Sequence, residues 1–228
     1  MQHHKLRLSR ATRDADLAVR VGSWVNYEKI RVQLMGSGFL EQTAMYNFRY
    51  KTAIFDIIPF GEILNGKSEI LWPQDGKIMN MLGFEDAFRT AHKFRTSTGI
   101  EVRIASLSCL VMLKVIAWND RPRERPQDPV DIDSIIANYL DAGNFDRLYD
   151  EHSDLVDMDP YTIDRAGAAL IGRDLRVLCS HAARMEMEQI LKRELSYSEG
   201  SVFFQQMAGF RKIDPYRDRI SLMLSQMG

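Results

Sequence analysis

Apolar and polar positions alternate along this chain with two periods, and the change from one to the other divides it. From Arg10 to Val21 the alternation is that of a β-strand, with Ala15, Leu17, Val19 and Val21 on one side and Asp14 and Asp16 on the other. Gly22-Ser23 then makes a turn. Ser23 is placed to cap a helix whose apolar side is Trp24, Tyr27, Ile30, Val32, Leu34 and Met35, and Gly36-Ser37-Gly38 ends it. Met45–Lys51 and Thr52–Phe60 predict two strands so close in sequence that they pair antiparallel, with Asp56 on a strand next to the one carrying Asp14 and Asp16. Residues 61–83 are irregular around a short strand at Ser68–Trp72. A short helix at Phe84–Ala91 and a hairpin turning at Thr98-Gly99 follow.

Beyond residue 105 the period is helical. Ser106 caps an apolar helix through Trp118, and Arg121–Pro126 reads as a stiff charged linker. Asp128 reads as the cap of the next helix, with Pro129 at its first position. Asp146–His152, Tyr161–Cys179, Ala182–Leu195 and Pro215–Met227 complete the helical segments. The expected fold class is α/β, of the α+β kind. A small mixed sheet flanked by helices occupies residues 1–105, and a helical region occupies 106–228.

Composition changes this picture little. The 228 residues are 45% hydrophobic and 27% charged with a formal net charge of -1, an ordinary globular mix without a global nucleic-acid or membrane signature. No apolar run approaches the roughly 20 residues that span a bilayer, so no membrane partner is expected. Met1–Arg10 is polar and basic, unlike a secretory signal, and His3 and His4 read as part of a mobile terminus. Cys109 and Cys179 lie in apolar helical patterns and read as small core residues. The absence of a disulfide framework fits a reducing cytoplasm.

Candidate chemistry begins with the carboxylates. Asp14 and Asp16 share a strand face about 7 Å apart along the backbone, close enough for both to hold one Mg²⁺. Asp56 sits among Ile54, Phe55, Ile57 and Ile58, where an ionised carboxylate is costly unless it is paired or metal-bound. Its competing reading is a structural aspartate bonded to an arginine or to backbone N–H. Lys114 lies on an otherwise apolar helix and must either snorkel outward or meet an anion, for instance a phosphate held facing the acid cluster. Arg121 would add a second cation. Asp128 and Asp131 are explained by capping and the helix dipole. His92, His152 and His181 have no partner pattern, and Arg121, Arg123 and Arg125 read as a solvated loop.

Taken together, R-A-T-R-D-A-D-L-A-V, F-D-I-I-P-F-G, L-K-V-I-A-W-N-D-R, Q-D-P-V-D-I and G-A-A-L-I-G-R-D-L resemble the nucleotidyltransferase superfamily. Within it the chain is similar to the AbiEii-like predicted nucleotidyltransferases, which include toxins of bacterial toxin–antitoxin systems. The resemblance covers roughly residues 10 to 175. It implies a nucleotidyltransferase-like core with Asp14 and Asp16 as the metal-binding pair and Asp56 as the third acid, activating the incoming hydroxyl. Lys114 would hold the triphosphate, with Arg13 and Arg121 beside it, and Asp128 or Asp131 would be the later acid. In place of the family's Arg-Asp the chain has Gln127-Asp128.

The implied function is transfer of a nucleoside monophosphate from a nucleoside triphosphate to a hydroxyl, with Mg²⁺ or Mn²⁺ as cofactor. The acceptor would be RNA, such as a tRNA end, a protein or a small molecule, and an antitoxin would be a partner. The family's Gly-Gly or Gly-Ser turn before the first strand has no counterpart in residues 1–13. The expectation is therefore a turn further upstream or an incomplete phosphate site. The alternatives are a non-catalytic binding protein of the same fold and a metal-dependent phosphohydrolase.

Overall fold

A computed structural model describes residues 14–197 and 200–228. Arg13, His3 and His4 lie outside these residues. The chain forms two compact units, divided between Glu85 and Asp86. It is mixed α/β, with small sheets followed by a helical C-terminal half.

In the first unit, strand β1 (Asp14–Val21) leads through Gly22-Ser23 into helix α1 (Trp24–Gly36). The Ser23 hydroxyl accepts the Asn26 N–H at 3.2 Å, the capping bond its position predicts. Strands β2 (Leu40–Glu41), β3 (Asn47–Tyr50) and β4 (Ala53–Gly61) complete a sheet of order β1-β4-β3-β2. β1 and β4 run parallel, and the other pairs are antiparallel. Strands β5 (Glu69–Leu71) and β6 (Ile78–Asn80) form a separate hairpin, of which the sequence suggested only the first strand.

Helix α1 covers one face of the sheet. Arg31 binds both Glu41 carboxylate oxygens at 2.6 Å, and Phe39 lies 5.5 Å from the Phe55 ring. Glu41, Phe48, Phe55 and Ala15 form one row of register partners, so they share that face. The Tyr27 hydroxyl donates to the Ile57 carbonyl at 2.7 Å, and its ring joins Trp24, Tyr46 and Trp72 in an aromatic cluster. The apolar side expected for α1 is only partly used. Tyr27 is buried, but Val32 and Met35 are exposed, because the four-stranded sheet is too small to cover the whole helix. β1 behaves likewise: Val21 enters the core, whereas Leu17 at the sheet edge is exposed.

The second unit starts within helix α2 (Phe84–Arg89) and includes the hairpin of β7 (His92–Arg95) and β8 (Glu101–Ile104). That hairpin was expected with the strand-rich part up to residue 105. It belongs to the helical unit because the end of α2 is bonded there: Asp86 accepts from Ser180 Oγ at 2.7 Å, and Arg89 donates to the Leu178 carbonyl at 2.6 Å.

Helices α3 (Leu107–Asp120), α4 (Gln127–Asn138), α5 (Phe145–Asp150), α6 (Ile163–Leu178), α7 (His181–Ser196), α8 (Val202–Ala208) and α9 (Asp214–Ser225) follow. A π-turn at Leu140–Asn144 and a 3₁₀ turn at Ser153–Leu155 flank α5. Of these, α8 and the two turns were not expected from the sequence. Helices α3 and α6 are the interior of this unit. α6 is buried along its length through Ala166, Ala168, Ala169, Leu170, Ile171 and Leu175. Its two glycines permit close backbone approach. A Cβ on Gly167 would meet the Ile136 carbonyl of α4 at 2.9 Å, and one on Gly172 would meet the Met223 carbonyl of α9 at 2.2 Å. The G-A-A-L-I-G stretch therefore acts in helix packing.

Candidate carboxylate site and the lysine cluster

Register brings two of the sequence-singled acids together in the first unit. Asp16 of β1 is the direct partner of Asp56 of β4, and Asp56 is in turn the partner of Asn47 of β3. Neighbouring strands lie about 4.8 Å apart, and register partners point to one face. Asp16, Asp56 and Asn47 thus form a polar row on the face opposite α1. Asp14, paired with Ile54, lies one row along on the same face, and Arg49 completes that second row. Asp14, Asp16 and Arg49 are exposed, and Asp56 is half-buried.

Asp56 has a specific partner. The Asn47 side-chain amide donates to Asp56 Oδ1. Among the described residues, this amide takes the place of the arginine or backbone N–H expected for a structural aspartate. Asn47 escaped the sequence reading, although the signal was available. Only Lys51 and Thr52 separate β3 from β4, and a two-residue turn fixes register. Counting back from Tyr50 opposite Ala53 puts Asn47 opposite Asp56.

Carboxylates on one face suit a hard divalent cation, which takes oxygen ligands and keeps water in its remaining positions. Asp16 and Asp56 fit that chemistry, with Asp14 as the neighbouring acid. The described residues contain no convergence of three acid, histidine or cysteine side chains able to hold an ion. The fit is therefore that of an open pair rather than a closed cage.

Lys114 lies in the second unit and meets carboxylates of its own. Its Nζ donates to Asp128 Oδ1 at 3.1 Å and to Asp131 Oδ2 at 2.8 Å, from α3 across to α4. Of the two readings offered for a lysine on an apolar helix, meeting an anion is the one observed, and the anion comes from the protein. Asp128 is buried and also accepts from Arg125 Nε. Its expected role as N-cap is not realised. The cap position is Pro126, Pro129 falls inside the first turn, and no side chain caps the helix. The Asp128 carboxylate turns instead toward the two cations. Asp131 is less buried, with 22% of its side chain exposed against 6% for Asp128.

The remaining candidates are dispersed. Arg121 ends α3 and pairs with Glu124 at 3.6 Å, away from the Lys114 bonds. His92 and His181 are exposed. His152 Nδ1 accepts from Arg173 at 3.1 Å, which makes it part of a surface network with Asp154.

The sequence did not single out two further ionic clusters. Asp174 receives Arg147 at 2.6 and 3.1 Å and the Tyr139 hydroxyl. Arg219 bridges Asp133 at 2.6 Å and Asp164 at 2.8 Å. Burial pushes the Asp133 carboxyl above its ordinary range despite Arg219 and Arg211. Both clusters join residues far apart in sequence, so periodicity could not reveal them.

The arrangement is thus a mixed α/β chain with an open row of carboxylates on one face of a small sheet. Comparison with family models, curated proteins and solved structures finds no match. No described helix is long and apolar enough to cross a membrane.

Proposed function

We propose that this chain is a Mg²⁺-dependent nucleotidyltransferase, transferring a nucleoside monophosphate from a nucleoside triphosphate to a hydroxyl acceptor and releasing pyrophosphate. The observation that carries this reading is the pairing of Asp16 with Asp56 on adjacent parallel strands, with Asp14 on the same face. Asp16 and Asp56, with Asp14 as the neighbouring acid on the same face, would hold the ion, which would supply charge neutralisation for the phosphates and acidify the acceptor hydroxyl. The Asn47 amide fixes the Asp56 carboxylate in place through Oδ1. Asp56 Oδ2 is then the oxygen that takes the acceptor proton as the hydroxyl oxygen bonds to the α-phosphorus and the bond to pyrophosphate breaks.

The resemblance would give Lys114, in the second unit, a phosphate-binding role of its own. Holding a phosphate would mean exchanging Asp131, the more exposed of its two carboxylate partners, for the ligand. The acceptor in this reading is RNA, such as a tRNA end, or a protein hydroxyl. A cognate antitoxin follows only if the toxin branch of the resemblance holds.

A non-catalytic binding protein of the same fold is the rival. It is favoured by the open carboxylate pair and by Lys114 being held by two aspartates. Incubation with α- and γ-labelled triphosphates in Mg²⁺ separates the readings. Transfer of α-label to RNA or protein supports the transferase. Release of labelled orthophosphate alone would make the chain a phosphohydrolase. No turnover, with triphosphate binding retained, would leave the binding protein.

A further inference from the structure

The chain has two cysteines, 70 residues apart in sequence, and the fold of the second unit brings them together. Cys109 Sγ and Cys179 Sγ are 3.9 Å apart, and both residues are buried. Cys109 sits in the first turn of α3, where its N–H donates to Ser106 Oγ at 3.3 Å. Cys179 follows α6 in extended backbone, with φ -103° and ψ 147°.

The end of α2 holds both sites. Thr90 Oγ1 is 3.3 Å from Cys109 Sγ. Arg89 binds the Leu178 carbonyl, and Asp86 receives the Ser180 hydroxyl, on either side of Cys179. Two thiols fixed in contact by elements distant in sequence are more than two independent core residues.

We propose that Cys109 and Cys179 are a redox-modification site, a dithiol that hydrogen peroxide converts into an intramolecular disulfide joining α3 to α6. A disulfide needs its sulfurs about 2.05 Å apart, so the pair must close by nearly 2 Å. Cys179 is the C-cap of α6: its N–H still donates to the Leu175 carbonyl at 3.1 Å, but its own backbone is already extended and can supply that adjustment.

The chemistry of the pair is asymmetric. The hydrogen bond from Cys179, aided by Ser106 and Thr90, pulls the Cys109 thiol down to about 6. The same contact and burial push Cys179 up, so it keeps its proton. Asp86 opposes ionisation of both thiols, while Arg89 favours it at Cys179.

The Cys109 thiolate attacks one peroxide oxygen. The O–O bond breaks, hydroxide leaves and takes up the proton that Cys109 released on ionising to become water, and Cys109 becomes a sulfenic acid. The Cys179 sulfur then bonds to the Cys109 sulfur. Its proton departs with the sulfenic hydroxyl as a second water. Two thiols are oxidised by two electrons and one peroxide is reduced to two waters.

The test uses the full chain. Reduced protein is treated with hydrogen peroxide, quenched, and its thiols counted in denaturant with Ellman's reagent. The expected result is a fall from two thiols to none, restored by dithiothreitol. A cross-linked Cys109–Cys179 peptide should appear by mass spectrometry, with a monomeric band on a non-reducing gel. The oxidised form should melt roughly 5–10 °C higher, because the bridge closes a long loop. In Cys179→Ser, checked for folding by circular dichroism, oxidation should stop at a dimedone-trappable sulfenic acid on Cys109. Two surviving thiols under peroxide that fully oxidises glutathione would overturn the proposal. So would sulfinic or sulfonic acids, or intermolecular dimers, as the main wild-type product.

Discussion

Asp16 and Asp56 are direct partners across the parallel β1–β4 pair, although forty residues separate them in sequence. Two carboxylates about 4.8 Å apart at the backbone repel one another. Asn47 relieves Asp56 by donating to one of its oxygens. A divalent cation bound to the pair would add positive charge on this face.

A metal-linkage measurement tests this directly. Mg²⁺ or Mn²⁺ in the millimolar range should raise the melting temperature of the wild-type chain, since a ligand that binds only the folded state stabilises it by mass action. In Asp16→Ala plus Asp56→Ala that shift should vanish. A double variant that keeps the full shift would place metal binding elsewhere.

Charge removal at Asp56 gives a second outcome. In Asp56→Asn the new side-chain carbonyl still accepts from Asn47 while the repulsion with Asp16 disappears. Without metal the variant should be as stable as the wild type or up to about 1 kcal/mol more stable, and transfer should be abolished. Chemical denaturation and the labelled-triphosphate assay read the two effects separately. Strong destabilisation of the metal-free variant would mean that Asp56 is a structural residue.

The Lys114 cluster makes the opposite prediction. Lys114→Met removes a donor to buried Asp128 and to Asp131, leaving Asp128 with Arg125 alone. The loss should be about 1–3 kcal/mol. Adding Asp128→Asn should cost less than the sum of the two single changes, because the buried charge that had lost one of its two cations is then gone. Urea denaturation of the double-mutant cycle reads the coupling. Strict additivity would show that the two side chains do not interact.

Gly172 can be tested by its smallest replacement. The Cβ of Gly172→Ala would fall 2.2 Å from the Met223 carbonyl, so α6 and α9 must separate. A loss of about 1–3 kcal/mol follows from such overpacking, outweighing the better helix propensity of alanine. Thermal melting with full-chain circular dichroism measures it. An unchanged melting temperature would show that α9 is not packed against α6 this closely.

Alkaline pH should expose Tyr139. Burial and the neighbouring Asp174 push its hydroxyl above the ordinary tyrosine range. Above about pH 10 an unfolded tyrosine loses its proton while folded Tyr139 keeps it. The folded state then binds more protons, so stability falls as pH rises, by about 1.4 kcal/mol per pH unit for one such group. Buried Tyr27, also pushed upward, contributes in the first unit. Tyr139→Phe should be less stable at neutral pH, through the lost bond to Asp174, and should lose its share of the alkaline slope. Denaturation curves between pH 8 and 11 decide it, and an unaltered slope would refute the assignment.

The sequence by itself determined what short-range forces control. The Ser23 and Ser106 caps, the β3–β4 hairpin and the long helical segments rest on hydrogen bonds within a few residues and on periodic burial. Even the Asn47–Asp56 pairing was latent in the two-residue turn. Tertiary structure alone decided the rest. No turn sets a parallel register, so Asp16 meets Asp56 only because β1 and β4 pack as a sheet. The same holds for the pairing of Lys114 with Asp128 and Asp131, the place of the β7–β8 hairpin in the helical unit, and the contact of Cys109 with Cys179. In each case a buried polar or reactive group finds a partner through helix or strand packing between distant segments. A one-dimensional pattern states that such a group needs a partner; the packing chooses which.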